Sequence, residues 1–362
     1  MGAESFGWEE RFLRSGDELA ARERLLEESG LTVPGGEELI LGLYEGENLV
    51  ATGALVGAVL QGIAVSPMAR GEGAAAAIVS SLIAAAVARG REQLFLFTQA
   101  REAARFEALG FSLVASAGAG GAALLEWGAR GIERWLAGVR TLAEGKPERA
   151  GAVVVNCNPF TLGHRALIES AAARVPWLYA LVVEEDRSLF PFQARLDLVR
   201  RGTADLPNVT VIAGGPYVIS SATFPTYFIR PAADGTDGAG KAIEMHASLD
   251  LAIFRSRIAP ALRVTDRFVG TEPYCATTAS YNRLMKLILA SPEGDGPPLR
   301  VHEMPRFEHG GAAVSASNVR GLIRAGNLAA VEDIVPATTW AWLNSPEAAP
   351  VLERIRRSDS RH

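Results

Sequence analysis

Residues 151–183 constrain the fold of this chain more than any other stretch. An apolar run, 151–155, leads into Asn156-Cys157-Asn158-Pro159-Phe160-Thr161-Leu162-Gly163-His164. A helical pattern over 162–174 and a second apolar run, 177–183, follow directly. Two strands joined through a helix pair in parallel, and parallel strands are covered on both faces, which suits runs that are apolar throughout. Strand, helix, strand therefore predicts an open α/β layer. Further strands are expected at 209–213, 267–270 and 299–304, with helices near 192–202, 249–261 and 280–290. This half of the chain reads as a doubly wound α/β unit.

The first half follows a different rhythm. Short apolar segments at 38–43 and 48–65 are broken by Gly46-Glu47 and Gly57, the punctuation of an antiparallel meander. An alanine-rich helix near 73–89 carries Ile78, Leu82, Ile83 and Val87 at helical spacing. A strand at 93–98, a short helix at 102–109 and strands at 110–114 and 122–127 complete an α+β pattern. An amphipathic helix at 131–142 and the polar run 144–149 then form a joint. The expected division is 1–128, a linker helix and hinge at 129–150, a second domain at 151–345 and a tail at 346–362. Residues 232–240, with three glycines and two aspartates, are expected to be a mobile loop.

Composition narrows the partners. The 36 basic and 41 acidic side chains leave a net charge of -5, which offers no global field for a phosphate backbone, so no nucleic acid is expected. Cys157 and Cys275 can make no disulfide framework and stand in no Cys/His cluster, which fits a reducing cytoplasm. The longest apolar run, 49–65, carries Thr52, Gln61 and three glycines, so it reads as paired strands rather than a membrane span. The first residues lack the apolar core of a signal peptide.

The chemistry gathers in two short motifs. Strand ends in an open α/β sheet are where ligands bind, and the unbonded N–H groups of a following helix attract an anion. Gly163 lets that backbone come close, while His164 on the first turn can donate to a phosphoryl oxygen as charge grows there. A plain capping or packing histidine is the competing reading, and the agreement of turn, strand and helix weighs against it. Far downstream, Val314-Ser315-Ala316-Ser317-Asn318-Val319-Arg320 opens another helix with two hydroxyls and a guanidinium on its first turn. Taken alone, that segment reads equally as a serine N-cap with a surface arginine.

Together, Thr161-Leu162-Gly163-His164 and the segment 314–320 resemble the (H/T)xGH and ISxSxxR signatures of the nucleotidyltransferase superfamily, with Val at the first position of the second. The resemblance implies that both motifs bind the triphosphate of ATP and that AMP passes to an acceptor as pyrophosphate leaves. Magnesium is then held mainly through the phosphates, with no metal site of the protein's own. It also implies catalytic roles for His164, Thr161 and Arg320, and nucleotide binding by Asn158, Phe160, Gly163, Glu272, Ser315 and Ser317.

The blocks 158–165, Phe190-Pro191-Phe192, 217–228 and 268–273 look like the successive blocks of citrate lyase ligases, in the same order. That resemblance implies that acetate is activated as acetyl-adenylate. The acetyl group then passes to the prosthetic-group thiol of the citrate lyase acyl carrier protein, its gamma subunit. Ser220, Ser221 and Thr223 would belong to a substrate site, or else be ordinary turn hydroxyls. Glu272, at a presumed strand end, suits a ribose hydroxyl, a magnesium-bound water or plain solvent.

In the first half, Arg70-Gly71-Glu72-Gly73-Ala74-Ala75 stands between a strand and a helix and is similar to the pyrophosphate loop of GNAT acetyltransferases. Phe106-Glu107-Ala108-Leu109-Gly110-Phe111 is similar to that family's closing helix and strand. The likeness implies that Arg70, Gly71, Gly73 and Ala75 hold a CoA-like arm through backbone N–H groups. No tyrosine stands near Phe106 to protonate a departing thiol, so a dock for the carrier's arm is expected rather than an amine acetyltransferase. Two competing readings are an adenylyltransferase of the pantetheine-phosphate or nicotinamide-mononucleotide type and a non-catalytic CoA- and nucleotide-binding protein. The GNAT-like half speaks against the first, and the intact His164, Ser317 and Arg320 against the second.

Overall fold

The computed structural model describes residues 7–31, 33, 35–117, 121–129, 131–184, 188–220, 222–223, 237–272 and 276–357, with the side chains of 237–243 and 276–278 excepted. The chain divides into two compact units, one made of residues 1–135 with 221–253 and the other of 136–220 with 254–362.

The first unit opens with β1 (Glu9–Phe12) and α1 (Gly16–Glu28). The strands β2 (Leu39–Glu45), β3 (Asn48–Val56) and β4 (Val59–Val65) form the expected meander. After them come α2 (Ala74–Val87), β5 (Gln93–Gln99), α3 (Ala103–Glu107), β6 (Ser112–Ser116) and β7 (Ala122–Gly128). The strands make one sheet in the order β1-β2-β3-β4-β5-β7-β6. Every pairing is antiparallel except β4 with β5, which pair only at Val59 with Phe95 and Leu60 with Leu96. The unit is α+β, as its sequence pattern predicts.

Helix α2 buries Ile78, Val79 and Leu82 on the sheet. Gly53 makes this closeness possible, since a Cβ there would lie 2.6 Å from the Leu82 side chain. No element was expected before residue 38, yet Ser15 and Glu18 form a capping box that starts α1. That helix buries Leu25 and Leu26 and sets Arg22 against Glu37 at 3.0 Å.

Helix α4 (Ile132–Ala143) spans the division. Beyond it lie β8 (Ala150–Val155), α5 (Leu162–Ala172), β9 (Leu178–Val182), α6 (Phe192–Gly202) and β10 (Val209–Ala213). The chain then enters α7 (Asp237–Ile253), which packs on β6 and β7 in the first unit. The expected loop at 232–240 is corrected in its last four residues, which begin this helix; residues 232–236 lie outside the described ones. Gly238 and Gly240 weaken the helical pattern there, and packing on the sheet overrides propensity. The helix expected at 249–261 is the end of α7, a π-helical turn at Phe254–Ile258 and the short α8 (Ala259–Ala261).

The remaining elements are β11 (Val264–Gly270), α9 (Ala276–Ala290), β12 (Arg300–Met304), β13 (Glu308–His309), β14 (Ala312–Ala313), α10 (Ala316–Arg324), α11 (Ala337–Leu343) and α12 (Ala349–Arg357). The second sheet runs β10-β9-β8-β11-β12 and is parallel throughout. Strand order reverses between β8 and β11, so a topological switch point lies at their carboxyl ends. The doubly wound expectation holds.

One buried arginine secures that carboxyl edge. Arg195, fully buried on α6, donates from Nε to the Phe190 carbonyl at 3.0 Å and from Nη1 to the carbonyls of Asn156 and Val183 at 2.9 and 2.7 Å. It thereby satisfies carbonyls that emerge from β8 and β9 into the loops. Arg195→Met should lower the stability of this unit by about 3 kcal/mol in urea melts, because buried carbonyls lose charged donors. Arg195→Lys should not restore it, since a single ammonium lacks the planar fork that reaches three carbonyls. An unchanged urea midpoint in either variant would contradict this role.

Candidate active site

Three strand ends converge on the switch point. The loop after β8 runs into the first turn of α5, where Thr161 is the fully buried N-cap. Its hydroxyl oxygen accepts from the His164 N–H at 3.4 Å, and its own N–H donates to His164 Nδ1 at 3.2 Å. The Thr161 hydroxyl lies 2.9 Å from the same nitrogen. A backbone N–H only donates, so Nδ1 presents its lone pair and the imidazole proton sits on Nε2.

The His164 ring stacks on Phe160 with centroids 6.2 Å apart and planes 22° apart. Phe160 is fully buried and presses on Gly202, where a Cβ would come within 2.5 Å of the ring. Asn158 is buried as well, its Oδ1 accepting from the Phe190 N–H at 3.0 Å. Both side chains, expected to meet nucleotide, are buried within this loop region.

The two motifs are bound to each other. A Cβ on Gly163 would lie 2.5 Å from the Val314 carbonyl oxygen, so the start of α5 rests directly on the backbone that leads into α10. Ser315 caps α10, its Oγ accepting from the Asn318 N–H at 3.2 Å. Arg320 is 4% exposed and donates from Nη1 to the Asn158 carbonyl and from Nη2 to Ser317 Oγ at 3.2 Å. Ser317 itself is exposed.

Arg306, just past the end of β12, enters the same edge and was not singled out in the sequence. Its Nε donates to the Thr271 carbonyl at 2.7 Å, and its Nη2 pairs with Glu272, just past the end of β11. Glu272 is thus held in an ion pair rather than left to solvent. Only its position beyond a parallel strand could have marked Arg306, since no local pattern surrounds it. Burial, then the charges of Arg306 and Arg320, push His164 down to about 4. At neutral pH it is a neutral donor through Nε2–H.

Other expected residues fall elsewhere. Ser220 donates to the Pro216 carbonyl at 2.5 Å, Ser221 lies outside the described residues, and Thr223 is buried in the stretch that belongs to the first unit. Arg70, Gly71, Gly73 and Ala75 share the turn that opens α2. Arg70 is exposed, and Gly71 and Gly73 take φ of 88° and 89°, a region that favours glycine. Cys157 is fully buried at a φ of 52°, and burial pushes its thiol well above the usual range. Among the described residues no group of three or more His, Cys, Asp or Glu is placed to hold a metal.

The family pattern described as the citrate lyase ligase C-terminal domain matches residues 150–343. The citrate (pro-3S)-lyase ligase of Klebsiella pneumoniae is 41% identical over 325 residues, covering 89% of this chain and 92% of that protein. The ligase of the same name from Escherichia coli is 39% identical over 324 residues, covering 89% of each. The chain belongs to the citrate lyase ligase family. Among solved structures, an acetyltransferase from Streptococcus agalactiae is 15% identical with a TM-score of 0.30, covering 34% of this chain and 99% of that one. An acyl-CoA N-acyltransferase from Pseudomonas aeruginosa is 20% identical with a TM-score of 0.29, covering 33% and 97%.

In this member of the citrate lyase ligase family, nitrogen NMR of the nucleotide-free protein should find His164 as the neutral Nε2–H tautomer from pH 8 down to pH 5. The folded-state value lies below the ordinary 6.5, so the unfolded chain takes up this proton first as pH falls. This group therefore subtracts stability as pH drops from about 6.5 to about 4. An imidazolium at pH 6.5 would overturn the assignment.

Proposed function

We propose that the protein is an ATP-dependent acid–thiol ligase, which activates acetate as acetyl-adenylate and acetylates the prosthetic-group thiol of the citrate lyase acyl carrier protein in the cytoplasm. The observation that carries this reading is the junction of the two motifs. Gly163 against Val314 and Arg320 on Asn158 put two helix N-termini and a neutral His164 donor at one switch point. The curated relatives named as citrate lyase ligases support the choice of carrier.

In the first half-reaction an acetate oxygen attacks the α-phosphorus of ATP. The new P–O bond forms as the α–β bridging bond breaks, and its electron pair leaves on pyrophosphate. Such a transfer needs positioning and charge stabilisation rather than a protein nucleophile. His164 donates from Nε2 to a phosphoryl oxygen, with Thr161 holding the tautomer. Ser315, Ser317 and the amides of α5 and α10 bind phosphate oxygens, while Arg320 and Arg306 offset the polyanion. Glu272 positions Arg306. Magnesium, where bound, would be held mainly through the phosphates and would lower the charge of the leaving group.

In the second half-reaction the carrier thiolate attacks the acetyl carbon, the bond from that carbon to the AMP oxygen breaks, and AMP leaves. The thiol proton passes to water. Arg70, Gly71, Gly73 and Ala75 at the start of α2 hold the diphosphate of the carrier's CoA-like arm.

Exchange of labelled pyrophosphate into ATP should require acetate. His164→Ala should keep the fold and lower exchange by about 100-fold or more. Near-normal exchange would remove His164 from the chemistry. Arg70→Glu places a like charge beside the arm's diphosphate, so it should leave exchange intact while slowing acylation of the carrier. Full-rate acylation by that variant would remove the dock.

A further inference from the structure

A second group at the switch point has no role in the account above. Asn282 lies on α9, where that helix passes the carboxyl end of β11. It is 3% exposed. Its Nδ2 donates to the Gly270 carbonyl at 3.0 Å. A carbonyl only accepts, so the amide nitrogen must face it, and this fixes the direction of Oδ1. Among the described residues that oxygen is buried with no hydrogen-bond partner. Buried amide oxygens are nearly always satisfied, because an acceptor cut off from both water and a donor is costly.

The chemistry of the substrates selects the donor. Of the substrates of the first half-reaction, acetate is a carboxylate and the ionised triphosphate is acceptor-only, so neither donates a hydrogen bond. The nucleoside of ATP does, through its ribose hydroxyls and its exocyclic amine. The place fits as well: Gly270 ends β11, Glu272 follows it closely, and β11 lies beside β8, whose loop leads into the helix that carries His164. Among the described residues a Cβ built on Gly270 meets nothing within 4 Å, so they leave room beside this strand end.

From this we propose that Asn282 is a specificity residue whose Oδ1 accepts a hydrogen bond from an O–H or N–H donor on the nucleoside of ATP. The inference rests on the reading of this site as an ATP site. It adds which part of ATP the β11 end recognises and which residue recognises it. Sites that hydrogen-bond a substrate group discriminate against the analogue lacking it, because the buried partner is then left unpaired.

The test compares the full-length protein with its Asn282→Ala and Asn282→Ser variants. Equilibrium binding without acetate, and acetate-dependent exchange, are measured with ATP, 2′-deoxy-ATP, 3′-deoxy-ATP and purine riboside triphosphate. The wild type should bind one of the three analogues about 10-fold or more weakly than ATP. The analogue that suffers identifies the donor as the 2′-hydroxyl, the 3′-hydroxyl or the amine. In both variants ATP binding should weaken by the same order, and the difference between ATP and that analogue should disappear. A merely structural asparagine would weaken all four nucleotides alike and keep their ranking, which would overturn the proposal. Equal wild-type affinity for all four would show that no nucleoside donor meets the oxygen and overturn it too. If ATP binds but exchange is absent, the adenylate chemistry fails while the analogue ranking still decides Asn282. If no nucleotide binds, both readings fall.

Discussion

The contact between Arg320 and the Asn158 carbonyl is the constraint on which the site depends. Each motif alone is a strand or loop feeding a helix, and neither encloses anything. The guanidinium of α10 reaches back across 162 positions of sequence to the loop after β8, with its remaining Nη on Ser317 of its own helix. Gly163 then settles the approach distance, because any side chain there would meet the Val314 carbonyl. The two N-termini are therefore held by donors and sterics that involve no ligand, which is what preorganised stabilisation of a transition state requires.

That closeness has an electrostatic consequence. Burial disfavours a charged imidazole, and Arg306 and Arg320 beside His164 disfavour it further, so the ring is neutral and its one proton is directed by Thr161. A neutral donor loses nothing to repulsion when the guanidiniums take up phosphate charge. Glu272 matters in the same terms. Paired to Arg306, it lowers the net positive charge of this edge and fixes the guanidinium in direction, so less order has to be found on binding an anion.

Local pattern made much of this legible, and long range hid the rest. The βαβ unit, the meander and both motifs were readable because apolar periodicity and turn residues are local signals. Asn158 and Phe160 stood in the right loop, but adjacency in sequence says nothing of direction, and both side chains turn into the protein. Arg195, Arg306 and Asn282 act through partners 39, 35 and 12 positions away, on carbonyls or charges that only the sheet brings near. Their own neighbours carry no motif. Helix α1 was missed although its capping box is local, because residues 9–28 are mostly polar and show little apolar face. Helix α7 was missed at its start because two glycines argue against a helix whose stability comes from the sheet beneath it.

Cys157 is not placed to carry an acyl group. It is the one thiol inside the loop proposed to meet the phosphates, and an acyl-enzyme route would need it as a thiolate. Burial raises its pKa, and the coulombic effect of Arg195 only partly opposes that. Its backbone sits in the left-handed region with the side chain fully enclosed, so the sulfur has no path to an incoming acyl group. The surrounding loop offers donors and cations but no exposed nucleophile among its described residues. A site of that kind can orient a carboxylate against phosphorus and hold the charge that develops, and the acyl group it activates must leave on a nucleophile carried in from outside.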